Sequence, residues 1–309
     1  MPRIALKIEV PSYRAACVGV PLLTDMLRRH RAGASFVFAL GPDRSGRALG
    51  HAWQPQLHGR AINTSLIGHF GLRPLLYGTL LPAPHIGSRC ADILRRVRDD
   101  GFEVGLHGWD ALRWLAEVDK ADAGWSETQL KRAMAAFEEV FSTPPLLHAA
   151  AGWRGNPHSL RLTQRCNFAY ASDTRGRHPF VPVWHGEIVR CPQIPTTLPT
   201  LDELADAKNP DPQMLRDRLL ALTATPPPAD HVFTLRVDPG ATQRIDLIEE
   251  LLTGWREQGY ELTSIQALAA GLDVDKLPRH EIVVGQVAGR HGTLLLQGNE
   301  FLSDWRQAA

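Results

Sequence analysis

Residues 102–110 read FEVGLHGWD. The stretch opens as an apolar run, Phe102, Val104 and Leu106, broken by Glu103 and Gly105. A run of this kind, preceded by a helical segment, reads as a buried parallel strand. His107 stands where that strand should end. In a β/α barrel the C-terminal ends of the strands face the active site, so His107 becomes the first candidate functional residue.

Working outward, strand and helix patterns alternate. Ile4 to Glu9 is a strand, and Val20 to Arg31 a helix with Val20, Leu23 and Leu27 on one stripe. Ser35 to Leu40 is a second strand. Ser88 to Asp99 is a helix capped by Ser88, and Ser126 to Phe141 another with cap chemistry at Ser126. Trp109 to Ala123 reads as a loop with a short helical piece. Further strands are expected at Pro145–Ala150, Phe168–Ala171, Ile188–Ile194, Val232–Leu235 and Tyr260–Ser264. Helices fall at Pro157–Cys166, Pro212–Leu222 and Thr242–Gln258, and Pro226-Pro227-Pro228 makes a stiff turn. This order predicts a parallel sheet with helices outside it. An open dinucleotide-binding sheet is the rival. No G-x-G-x-x-G follows a strand, so a closed or nearly closed barrel is preferred.

Two segments stand apart. His51 to Gly87 holds many aromatics, histidines and glycines and few acids, and it is too long for a plain connector. Its apolar clusters, with Arg60, Arg73, Trp53, Phe70 and Tyr77, suit either a flap over the barrel or a membrane-surface contact. Glu281 to Gln297 places two β-rich runs around Gly289-Arg290-His291-Gly292, a hairpin appended to the barrel. The expected organisation is a barrel over 1–272 with an insert at 48–87, then a C-terminal extension over 273–309.

The totals exclude several classes. A chain of 309 residues with net charge +1 points away from nucleic acid as a partner. Cys17, Cys90, Cys166 and Cys191 form no C-x-x-C pair, and a disulfide framework is not expected in a chain this long. The start MPRIALKIEV goes straight into a strand pattern without signal-peptide regions. No window reaches about 18 consecutive apolar residues. The expected location is cytoplasmic, with peripheral contact on the inner face of the cytoplasmic membrane.

EVGLHGWD resembles the second motif of the NodB-type polysaccharide deacetylases. More narrowly, the chain is similar to the bacterial deformylases of 4-deoxy-4-formamido-L-arabinose phosphoundecaprenol. The likeness runs from about residue 3 to about residue 270. It is carried also by PLLTDMLRRHRAGASFVFALGPDRSGR, by Ala149-Ala150-Ala151-Gly152-Trp153-Arg154, by Ser172-Asp173-Thr174-Arg175-Gly176 with Pro179-Phe180, and by Pro195-Thr196-Thr197-Leu198-Pro199-Thr200. The resemblance implies a distorted β/α barrel of the NodB type. It also implies hydrolysis of a non-peptide C–N bond assisted by a divalent metal such as zinc, which polarises the acyl carbonyl and lowers the pKa of bound water. In the family an Asp and two His hold the metal, a second Asp takes the water proton, and a late His protonates the leaving amine.

Several of those positions differ here. The family's Asp-x-Asp is Glu9-Val10-Pro11. His107 is kept, but the histidine expected four residues later is Ala111. The late Thr-x-His is Thr234-Leu235-Arg236, and arginine cannot act as an acid near neutral pH. Glu9 is the candidate base, His107 a further site residue, and Arg236 replaces the family acid. Trp153, Arg154, Asp173 and Arg175 match the supporting motifs and are expected to bind substrate. No metal or other cofactor is expected.

Two readings of the site follow. The first is a homologue that has lost metal-dependent hydrolysis and binds a lipid-linked amino-sugar phosphate, an envelope precursor or a protein partner. There Glu9 would pair with Arg154 or Arg236, since a buried carboxylate needs compensation. The second is a hydrolase with a rearranged site. It would use either Glu9, His107 and Asp110 around a metal, or Glu9 as base with Arg236 and Arg154 stabilising an oxyanion. A third class is an interaction subunit in which 281–297 adds a strand to a partner's sheet edge.

Overall fold

The computed structural model describes residues 1–49, 76–205, 211–224, 229–237 and 244–302. The turn at 226–228 and most of the segment expected to meet a membrane, 51–87, lie outside these residues.

The first strand, β1 (Arg3–Val10), is buried along nearly its whole length. That is what a central parallel strand covered on both faces requires. After α1 (Val20–Arg29) come β2 (Ser35–Ala39), α2 (Ile86–Arg89), α3 (Ala91–Asp99) and β3 (Glu103–Gly108). Next are α4 (Ala111–Glu117), α5 (Ala123–Phe141), β4 (Leu147–His148), α6 (Pro157–Arg165) and β5 (Tyr170–Ala171). There follow β6 (Val181–Trp184), β7 (Glu187–Ile188), α7 (Leu201–Leu204), α8 (Pro212–Thr223) and β8 (His231–Arg236). The series ends with α9 (Ile245–Glu257), β9 (Glu261–Thr263), α10 (Ile265–Ala269), β10 (Arg279–Gly285) and β11 (Leu294–Glu300).

The main sheet is parallel throughout, in the order β5-β4-β3-β2-β1-β8, with β9 beside the start of β1. The extended segment 192–198 closes the ring. Ala171 N donates to Pro192 O (2.9 Å), Ile194 N to Ala171 O (2.7 Å), and Thr197 N to Val232 O (3.1 Å). Backbone bonds therefore run from β5 through this segment to β8, and the expected β/α barrel is the observed fold rather than an open sheet.

Phe36, Phe38, Leu94, Phe137 and Phe141 fill the layer between strands and helices. Among the described residues no helix is long and apolar enough to cross a membrane.

Local details differ from the sequence reading. Asp122, not Ser126, caps α5, because its side chain accepts from Trp125 N. Ser126 is buried one turn inside, where its hydroxyl accepts from Asn156. Ser88 lies within α2 rather than at a cap. The segment 181–184, not read as a strand, is β6. It pairs in parallel with β10, and β10 pairs antiparallel with β11. The C-terminal hairpin is thus present and belongs to a second, four-stranded sheet, β11-β10-β6-β7.

Candidate functional site

β1 brings Lys7 and Glu9 to one face, because side chains two apart on a strand point the same way. That face is the barrel interior: Lys7 is 0% exposed and Glu9 4%. Lys7 Nζ donates to Ser172 O (3.1 Å) and Ser172 Oγ (3.3 Å). It lies 3.7 Å from Glu9 Oε1 and 5.0 Å from the centre of the Trp153 ring. Burial pushes the Lys7 ammonium down to about 8, against the opposing pull of Glu9 and Asp173. Glu9 Oε1 is buried and accepts no hydrogen bond.

His107 ends β3 as expected, buried beside the same cluster. Its Nδ1 lies 2.8 Å from Ala149 O. A carbonyl only accepts, so Nδ1 carries the proton and Nε2 keeps its lone pair. Burial pushes the imidazolium down, with Glu9 opposing and Lys7 and Arg236 adding to the effect. His107 is a neutral imidazole near neutral pH.

Arg236 ends β8 in register with Glu9, and Val237 N donates to Glu9 O (2.8 Å). Its side chain is half-buried, and its charge acts on both His107 and Arg290. Arg290, from the turn of the C-terminal hairpin, joins the cluster. It lies over the Trp153 ring at 4.8 Å, reaches Gly152 O at 3.4 Å, and is 3.6 Å from Glu203 Oε1. Arg175 lies 5.0 Å from the same ring and binds both oxygens of Glu203 at 2.8 Å.

Trp153 is the platform for these cations. Its Nε1 donates to Thr196 Oγ1 (3.1 Å), which is 2.8 Å from Thr234 Oγ1. Gly152 (φ 64°) and Trp153 (φ 55°) make a left-handed turn that sets the indole in place. A non-glycine residue with positive φ is held there by its surroundings, a feature common at functional sites.

Several expected residues do other things. Asp173 accepts from His148 Nδ1 (2.8 Å) and Ala150 N (2.7 Å), which braces β4 against β5. The Arg154 guanidinium is taken up by Asp119 and Leu115 O. Glu9 therefore pairs with neither Arg154 nor Arg236; its ion-pair partner is Lys7. The oxyanion arrangement that used Arg154 also fails. Asp110 caps α4 by accepting from Arg113 N (3.0 Å) and binds Arg44 at 3.0 Å. Burial holds its carboxyl above the usual range. Among the described residues no three His, Cys, Asp or Glu side chains are grouped to hold a metal. The expected alternative set of Glu9, His107 and Asp110 does not form.

The residues present do not fit a divalent ion. Among the described residues at the mouth, Glu9 Oε1 and His107 Nε2 are the available donors, while Pro11 and Ala111 supply none. A lysine ammonium already lies beside Glu9, and Arg236 adds like charge. Lys7, Arg175, Arg236 and Arg290 face Glu9, Asp173 and Glu203, which leaves one net positive charge in a buried setting.

Two site residues escaped the sequence reading. Lys7 was findable, since period-two alternation puts it on the face of Glu9. Arg290 carried no local signal, because only the docking of the hairpin brings it to the barrel. That hairpin uses its own chain for pairing. β10 pairs with β6, and β11 bonds to Arg175 through Arg175 N to Leu295 O (2.9 Å) and Gln297 N to Arg175 O (2.8 Å).

No family model matches the chain. A probable 4-deoxy-4-formamido-L-arabinose-phosphoundecaprenol deformylase ArnD from Shewanella sediminis is 31% identical over 297 residues, which is 96% of this chain and 95% of that protein. The protein of the same description from Wigglesworthia glossinidia brevipalpis is 30% identical over 192 residues, covering 62% of this chain and 67% of its own length. The longer match takes in most of the tail beyond residue 271, which had been placed outside the likeness. Among solved structures, a putative polysaccharide deacetylase from Mycobacterium smegmatis has a TM-score of 0.62 at 16% identity, covering 93% of this chain and 96% of that one. A CE4 family pseudoenzyme from Bacillus anthracis has a TM-score of 0.52 at 14% identity, covering 90% of this chain and 69% of that one.

Proposed function

This chain belongs to the 4-deoxy-4-formamido-L-arabinose-phosphoundecaprenol deformylase family, and from that premise we propose that it binds a lipid-linked amino-sugar phosphate without hydrolysing it. The observation that carries the reading is the gathering of Lys7, Arg236 and Arg290 around Glu9 and His107, at a mouth where Pro11 and Ala111 supply no metal donor. Lys7 neutralises Glu9 from within, and Arg236 and Arg290 stand half-buried near the opening. A phosphate matches two guanidinium groups in charge and in donor geometry. Glu9 Oε1 and His107 Nε2 are free acceptors for sugar hydroxyl or amide N–H groups. The family's acid position holds Arg236, which keeps its proton, and the ammonium beside Glu9, Lys7, is committed to that carboxylate and to Ser172.

In this reading the protein serves cell-envelope modification from the inner face of the cytoplasmic membrane. The prenyl chain stays in the bilayer while the sugar phosphate enters the mouth. The test is calorimetric titration with a short-chain prenyl-phosphate 4-formamido-arabinose analogue, beside a deformylase assay with added zinc or cobalt. Saturable binding, lost at least tenfold in Arg236→Ala with Arg290→Ala, and no turnover are expected. Stoichiometric metal with turnover abolished by His107→Ala would overturn the proposal.

A further inference from the structure

Outside the barrel mouth, two free thiols stand in contact. Cys17 Sγ lies 3.3 Å from Cys90 Sγ, across 73 residues of sequence. Cys17 sits in the single π-helical turn, 15–19, that precedes α1. Cys90 joins α2 to α3 and is buried. The other two cysteines, Cys166 and Cys191, are also free thiols.

The surroundings hold this pair in place. Tyr13, four residues before Cys17, is itself fixed: Tyr13 N donates to Asp43 Oδ2 (2.8 Å), and the Tyr13 ring meets Tyr77 edge-on at 6.5 Å. On the other side, Ile86 N donates to Gly41 O and Gly87 N to Leu40 O, both at 3.0 Å. The sulfurs therefore lie where the chain leaves the barrel after β2 and returns to it at α2.

We propose that Cys17 and Cys90 form a reversible disulfide by exchange with a low-molecular-weight disulfide. A disulfide needs its sulfurs about 2.05 Å apart, so these must close by roughly 1.3 Å, within the reach of side-chain rotation. Half-buried Cys17 meets the oxidant and Cys90 resolves the adduct. The Cys17 thiolate attacks one sulfur of R–S–S–R, forming a mixed disulfide and releasing one thiolate. Cys90 then loses its proton and attacks Cys17 Sγ, releasing the second. Two protein thiols are oxidised and one external disulfide is reduced to two thiols. Burial holds the Cys90 thiol well above its ordinary range, which makes resolution the slow step. The closed loop would enclose the whole insert 48–87 and tie the α1 end of the barrel to α2.

The experiment incubates the intact protein with oxidised glutathione, then maps thiols by mass spectrometry after unfolding. Wild type should lose about 2 Da and give one crosslinked peptide joining Cys17 to Cys90, reversed by dithiothreitol. Cys17→Ser should show no crosslink, and Cys90→Ser should accumulate a glutathione adduct at Cys17. A stable adduct on wild-type Cys17 without the crosslink would overturn the proposal. So would a crosslink through Cys166 or Cys191, or four free thiols after treatment.

Discussion

Lys7 Nζ and Glu9 Oε1 lie 3.7 Å apart inside the barrel, with both side chains buried. The pair stands two residues apart on β1, at the strand end where the family's chemistry would begin. A carboxylate already balanced by a lysine attracts a divalent ion less than a free one does. It also makes the interior dependent on its own ion pair, because removing one partner leaves a buried charge uncompensated.

Lys7 gives stability a distinct dependence on pH. Its ammonium titrates near 8 in the folded chain against an ordinary 10.5. Between those values the unfolded chain binds more protons than the folded one, so this group's contribution to stability rises with pH across the window. Over the whole window the rise amounts to roughly 3 kcal/mol. Urea denaturation of wild type and Lys7→Met at pH 7.5 and pH 10 should show the difference, wild type minus variant, growing toward high pH. A difference that is flat or shrinks would refute the assignment.

The parts legible in the sequence were those with strong periodicity. FEVGLHGWD became β3 with His107 at its end, and alternation of strands and helices became the barrel. The β6 strand was missed because VPVW holds a proline and pairs with a partner about a hundred residues away. At the site, Glu9, His107 and Arg236 came together because register places strand ends side by side. Arg154 was misplaced because its direction depends on the left-handed turn at Gly152 and Trp153 and on the Asp119 carboxylate. Neither feature is visible as a local pattern.

A divalent-metal site should be installable at the barrel mouth. His107 already has the orientation of a ligand, because Ala149 O holds Nδ1 and leaves Nε2 free. Pro11 follows β1 directly, and Ala111 opens α4 four residues after His107. The combined Pro11→Asp, Ala111→His and Arg236→His protein should carry about one zinc per chain by elemental analysis. The double variant Pro11→Asp with Ala111→His, which keeps Arg236, should bind zinc more weakly, since the cation remains. No gain in the triple variant would mean that the strand ends are not spaced for a metal.

Gly41 controls the rim beside β2. A Cβ there would lie 2.4 Å from Trp109 O and 2.7 Å from the Trp109 ring. Trp109 in turn packs against His85 at 5.5 Å. Gly41→Ala must displace backbone, not a flexible side-chain end, and overpacking of this kind costs about 1–3 kcal/mol. Thermal unfolding should record a drop of several degrees, whereas Gly271→Ala, with nothing near its Cβ, should leave the midpoint within a degree or so.

Arg290 separates charge from stacking. Its guanidinium lies over Trp153, and burial together with Arg236 and Arg175 pushes its pKa below the ordinary range, with Glu203 and Glu9 opposing. Arg290→Ala should leave the barrel folded, because Arg175 keeps both oxygens of Glu203 and β10 stays paired with β6. The lost cation–π contact is worth about 1 kcal/mol, read as faster amide exchange at Leu295 and Gln297 beside Arg175. Arg290→Lys keeps the charge and loses the planar fork. If the residue serves anion recognition, the lysine variant should bind the sugar phosphate several-fold more weakly than wild type and more tightly than the alanine variant. If it serves only to dock the hairpin, both variants should accelerate exchange while leaving the affinity unchanged.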